Sequence, residues 1–302
     1  MPTHSKQHFI PRGYLTAWCD PKTPRGHDPY VWMHPAGEGA PKRKAPKGIF
    51  TETDIYTVQG PNGRDLGLEH ALSRLESMFA RIMRTVIEPK KPLGMEDRVA
   101  LCAFIAALHA RTPSQRDHLK SEWTRIAKWS EGMAAQYAKM SPEQLKVLSA
   151  EPVGSKGFSI EDVQMLADNP MPTFLPATMM SWTPVFARMN LTILCAEGPG
   201  AFITSDAPVA VLDREAKKRG FPFDAPSVMS PTVEISLPLS PRRAAVLSYL
   251  RTPLYMPVRN SFVREQNQTT VAFARDWYVS NTEQREPGLI FNKRTSAPAD
   301  QD

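Results

Sequence analysis

Between Leu66 and Ile87 the apolar side chains Leu68, Leu72, Leu75, Phe79, Ile82 and Val86 recur in alternating steps of four and three. That spacing predicts an amphipathic helix over 66–88, stopped by Pro89 and Pro92. At about 100° per residue, His70, Arg74, Ser77 and Arg81 fall on the far, watery side. Residues 99–110 (VALCAFIAALHA) are apolar nearly all round, which predicts a centrally buried helix. Thr112, Pro113 and Gln115 then form a start signal for another helix, which carries Leu119, Trp123, Ile126, Met133 and Tyr137. SPEQ (141–144) and SIED (159–162) repeat that signal, and a shorter helix is expected over about 172–188.

From 190 the texture changes. NLTILCAE, AFITSDAP, VAVLD, VEISLPL and RAAVLSYL are short, β-branched and punctuated by Gly, Pro or Asp, so they predict strands. Helical spacing returns over 258–277, with a last strand expected at WYVS. Residues 1–65 lack helical periodicity and are rich in Pro and Gly. YVWM (30–33), GIF (48–50) and IYTV (55–58) predict brief strands in a segment that wraps over the rest. The fold class expected is α+β, with a helical block in the first half packed against a mixed or antiparallel sheet formed mainly by residues after 190. Residues 1–282 are expected to make one composite domain: an irregular wrapping segment (1–65), a helical block (66–188) and a sheet plus late helix (190–282). The tail 283–302 is expected to be poorly ordered.

The chain has 302 residues, enough for a large core without staples. Three distant cysteines, Cys19, Cys102 and Cys195, argue against a disulfide framework or a zinc knuckle. No apolar run approaches the ~18–20 residues of a membrane-spanning helix, and the N-terminus lacks a basic-then-apolar leader. A cytoplasmic location with no membrane partner is the expectation. The net charge of +6 is concentrated early: residues 1–50 hold eight Lys and Arg against Asp20, Asp28 and Glu38. Within them PKRKAPKG (41–48) is expected to be a solvated basic loop, with attraction of a nucleic acid or other polyanion as its functional alternative. No Walker A loop, dinucleotide fingerprint, H-E-x-x-H or nucleic-acid-binding motif accompanies it.

Glu69 and Glu76 carry the candidate chemistry. Both fall on the shoulder of the apolar stripe, near the row of Met83 and Ile87, with no Lys or Arg three or four residues later. Half-buried carboxylates need partners from elsewhere. Arg12, Arg98 or Arg111 would make them a structural network; a shared metal would make them a site. His8 precedes Phe9 and Ile10, which holds its imidazole near the core, as a packing residue or as a base. Asp206 follows a short apolar strand, where a carboxylate can serve as ligand or general base, or close an Asx-turn before Pro208. Ser205 beside it lacks a nucleophile elbow and is expected to contact substrate, not to attack it. Arg111, between two abutting helices, is placed to clamp a carboxylate, the protein's own or a ligand's. Asn260 and Asn267 share a row of the late helix, at a solvent rim or facing the same crevice.

QHFIPRGYL, LEHALSRLE, FIAALHARTP, ITSDAPV and PLSPRRAAVLSYL occur in this order over residues 6–280. In that order they resemble a bacterial domain of unknown function, DUF family 4238. The resemblance implies one domain, and it places His8, Glu69, Glu76, Arg111, Ser205 and Asp206 at the family's polar positions. It implies no activity, and the basic insertion at 35–48 lies outside it.

Two functions are expected from the residues themselves. In the first, His8, Glu69, Glu76 and Asp206 are catalytic and Arg12, Arg111 and Ser205 hold an anionic substrate. Glu69, Glu76 and Asp206 bind Mg or Mn, and a metal-activated water hydrolyses a phosphodiester or similar bond. In the second, the buried polar set is structural, and the protein is a non-catalytic module that binds nucleic acid or protein.

Overall fold

The structure is a computed structural model and describes residues 6–60, 63–148, 159–219 and 226–291. The chain opens with β1 (Lys6–His8), a single turn α1 (Arg12–Leu15), β2 (Val31–Pro35), β3 (Lys42–Lys44), β4 (Thr51–Thr53), β5 (Val58–Gly60) and β6 (Gly63–Asp65). The helical block follows: α2 (Gly67–Ile82), α3 (Met95–Ala110), α4 (Pro113–Tyr137), α5 (Pro142–Leu148), α6 (Ile160–Asp168) and α7 (Met171–Arg188). Then come β7 (Asn190–Ala196), β8 (Thr204–Ser205), β9 (Ala210–Asp213), α8 (Ala216–Arg219), β10 (Val233–Ser240), β11 (Arg243–Ser248), β12 (Tyr255–Val258), α9 (Asn260–Phe273) and β13 (Trp277–Ser280). The class is α+β, with the helices mostly early and the sheets built largely after residue 190.

The apolar periodicity of α2 does its expected work. Leu72, Phe79 and Ile82 are buried, while His70, Arg74, Ser77 and Arg81 face solvent. Phe79 stacks on Phe104 of α3 at 3.9 Å between ring centres. From Ala100 to Leu108 only Ala103 of α3 escapes full burial, as its uniform hydrophobicity requires. The last turn of the 66–88 segment is not α-helical: Met83–Ile87 widens into a π-type turn that still buries Val86 and Ile87. Thr112 caps α4 by accepting the Gln115 N–H, and the Gln115 side chain turns to His109 and not back to the cap. Ser159 and Asp162 form the full reciprocal capping box of α6.

The late strands divide between two sheets. One runs β12-β7-β11-β10-β9, antiparallel apart from β12, which lies parallel to β7. The other runs β3-β2-β13-β8, so strands from the two ends of the chain share it. The expectation of a single late sheet is corrected by β13, whose Tyr278 stacks on buried His34 of β2 at 4.4 Å. One apolar cluster runs from Phe9 and Ile10 through α2, α3 and α7 to the faces of β7, β10 and β13.

The basic segment 41–48 is also corrected: it is no loose loop. Lys42–Lys44 forms an edge strand on β2, and Pro46–Gly48 a 3-10 turn. Alternation sends Arg43 to one face, where its guanidinium lies 5.6 Å from the Tyr30 ring centre and 5.7 Å from that of Trp32. Lys42 goes to the other face, its ammonium 5.1 Å over Trp277. Aliphatic stems spread on aromatic rings fix a run whose charges alone would have left it in water. GIF does not form a strand: Phe50 takes a left-handed backbone with φ 55°, and its carbonyl accepts the Phe9 N–H at 2.9 Å. Of the tail, residues 283–291 lie against α9, where Gln268 exchanges two hydrogen bonds with Ile290; residues 292–302 lie outside the described residues.

Candidate functional site

β1 pairs with β4 in antiparallel register, His8 opposite Thr51. This ribbon lies over α2, so side chains of β1 meet the acidic shoulder of that helix. The result is a pocket of about 180 Å³ that includes Gln7, His8, Tyr56, Glu69, Glu76 and Arg111 in its lining. Four of the residues singled out by sequence therefore converge: His8, Glu69, Glu76 and Arg111.

Arg111 is the centre of the pocket's electrostatics. It caps α3 at its C-terminus and is 1% exposed, and one guanidinium nitrogen donates to Glu76 Oε1 at 2.9 Å. Among the described residues its Nε and its other terminal nitrogen are buried without a well-aligned hydrogen bond, and the Tyr56 hydroxyl lies beside the guanidinium. A buried guanidinium missing partners is costly, on the order of 1–3 kcal/mol for each unmade bond. His8 stands beside it. Burial lowers the imidazole pKa below its ordinary value, against a bond to the Pro46 backbone and the field of Glu76 that act the other way. Its Nε2 is buried and has no hydrogen-bond partner among the described residues. Neutral at pH 7, the ring can accept a proton there.

Glu69 is differently employed. Its Oε2 accepts from Gln7 Nε2 at 2.8 Å, and the same amide group reaches Thr57 Oγ1 at 3.0 Å. The Gln7 carbonyl accepts the Tyr56 N–H at 2.8 Å. Gln7 and Tyr56 were not foreseen from sequence, because a strand of three residues is too short for its alternation to show. Among the other arginines weighed, Arg98 donates to the carbonyls of Ala187 and Met189, and Arg12 is exposed.

Asp206 does not join this group. Its carboxylate accepts the backbone N–H groups of Arg275, Asp276 and Trp277 at 2.7–3.0 Å, which locks the approach to β13. Burial lifts its pKa to about 6 despite those three donors. Ser205 is fully buried and accepts the Ala207 N–H in a local turn. Both are structural anchors at the β8–β13 junction. Asn260 and Asn267 are likewise employed: Asn260 accepts the Gly200 N–H, and Asn267 bridges Ala201, Ile203 and Glu286. Without Asp206, the expected three-carboxylate ligand set for Mg or Mn is not assembled. Among the described residues no group of three or more His, Cys, Asp or Glu side chains is arranged to hold a metal ion. Among those residues, too, no helix is long and apolar enough to cross a membrane.

No curated protein and no solved structure matches the chain. A family model described as "Protein of unknown function (DUF4238)" matches residues 6–284, and the chain belongs to that family.

Proposed function

We propose that the His8–Arg111 pocket is the active centre of a hydrolase acting on a small anionic ester, a phosphodiester among them, without a metal. The observation that carries this reading is the buried Arg111 guanidinium, two of its nitrogens without a well-aligned hydrogen bond, beside a His8 Nε2 with no partner among the described residues. Arg111 pairs with the ester anion, Glu76 fixing its orientation. His8 Nε2 takes one proton from water as the water oxygen attacks. The ester bond breaks, and the imidazolium returns the proton to the leaving oxygen.

A second reading is favoured by the Gln7 network, in which Glu69, Thr57 and Tyr56 are held as a structural joint. In it the pocket is architecture and the protein binds without chemistry.

Hydrolysis of bis(p-nitrophenyl) phosphate by wild type and His8→Ala separates the two. The hydrolase reading expects turnover that rises with pH through a His8 pKa below 6.5, levels off above it, and survives a chelator. His8→Ala should lose about 10²–10⁴-fold in kcat while melting close to wild type. Absence of turnover in the wild type, or full activity in His8→Ala, refutes it.

A further inference from the structure

A second cavity beside the β1–β4 ribbon has a lining of different chemistry from that of the His8 pocket. It holds about 500 Å³ and is bounded by one face of the β3-β2-β13 sheet and the start of α4. The strand alternation that places Arg43 against Tyr30 and Trp32 turns Lys42, Lys44, Met33 and Trp277 towards this cleft. Its other charges are balanced. Arg116 is paired with Glu52 and Asp117, and Arg275 with Asp117 and Asp276. Asp206 is held by three backbone amides. Among the described residues neither Lys42 nor Lys44 has an ion-pair partner, so the surplus positive charge of the cleft sits on these two ammonium groups.

Two lysines two residues apart on a strand are about 7 Å from one another along the backbone, close enough to share one phosphate. The half-buried indole of Trp277 lines the same cleft, with the Lys42 ammonium 5.1 Å over its ring. An anion that draws the Lys42 ammonium off the ring frees the indole face for stacking, which matches a ligand with a flat ring joined to an anion. The volume lies within the range of about 300–1,000 Å³ usual for small-molecule sites and far exceeds what a lone phosphate fills. We infer that this cleft binds a nucleoside monophosphate, with the base against Trp277 and the phosphate between Lys42 and Lys44. The site stands whether or not the His8 pocket is catalytic.

Calorimetric titration of the full chain with AMP, adenosine, inorganic phosphate and a ten-nucleotide oligothymidylate tests it. AMP should bind at least about tenfold more tightly than adenosine or phosphate alone. Lys44→Ala, which leaves the Lys42 stem on Trp277 in place and should melt like wild type, should weaken AMP about tenfold or more, and Lys42→Ala/Lys44→Ala more still. Trp277→Leu should weaken AMP and leave phosphate unchanged. Failure of AMP to bind, equal binding by the lysine variants, or binding of the oligonucleotide alone overturns the inference; the last would mark a strand-tracking surface instead.

Discussion

At the scale of single residues, the deciding contrast is between carboxylates that look alike in sequence. Glu69 and Glu76 are expected to be half-buried and in need of partners, and Asp206 to be a strand-end ligand or base or to close an Asx-turn; each has a partner in the structure. Glu76 has a guanidinium, Glu69 an amide, and Asp206 three backbone N–H groups. Periodicity on α2 could find the first two because a helix shoulder is a one-dimensional property. It could not tell which arginine would arrive, since Arg98 and Arg111 sit on the same helix thirteen residues apart and only packing separates them. Asp206 was legible as a strand-end acid, and its Asx-like role was one of the two expectations; its real partners lie some seventy residues downstream. Asp206→Asn tests that role. An amide can accept at one oxygen only and presents a donor to donors, so at least one buried N–H is left unmet. The variant should lose about 1–3 kcal/mol in urea unfolding. A stability equal to wild type would show that the three amides are not held by charge.

At the scale of elements, local signals and tertiary ones parted company. Helix starts were written in the sequence: Thr112 and Ser159 cap where their side chains and the following residues indicate. Thr112→Ala should therefore cost about 1 kcal/mol in chemical denaturation, and a loss under 0.3 kcal/mol would contradict the capping account. The strands at 6–8, 42–44 and 255–258 were missed. Each is three or four residues long, too short for alternation to show, and is fixed by its neighbour. For Lys42–Lys44 the fixing groups are aromatic rings from β13, β2 and Tyr30, all distant in sequence except through pairing. A run of basic residues among prolines looks solvated until those rings are known to be there. The π-type turn at Met83–Ile87 has no reliable sequence mark either; it keeps Val86 and Ile87 inward while the chain turns towards Pro89.

At the scale of the whole molecule, the α+β class followed from helices preceding strands, and this much survives in the structure. What did not follow is that an early strand and the last one meet. β2 and β13 are some 240 residues apart and form the middle of one sheet, so part of the N-terminal segment belongs to that sheet. The β1–β4 ribbon carries His8 to α2, and the β2–β13 pairing sets Lys42, Lys44 and Trp277 on one face of their sheet. In the proposed hydrolase, an anion would complete the bonding of Arg111 and His8 in the first of these places. The direct measurement is the NMR titration of the His8 ring, assigned by its loss in His8→Gln, with and without inorganic phosphate at constant ionic strength. The account predicts a midpoint below 6.5 in the free protein and an upward shift when phosphate enters, because a bound anion favours the imidazolium. A ring that titrates at or above 6.5 and does not respond to phosphate would contradict it.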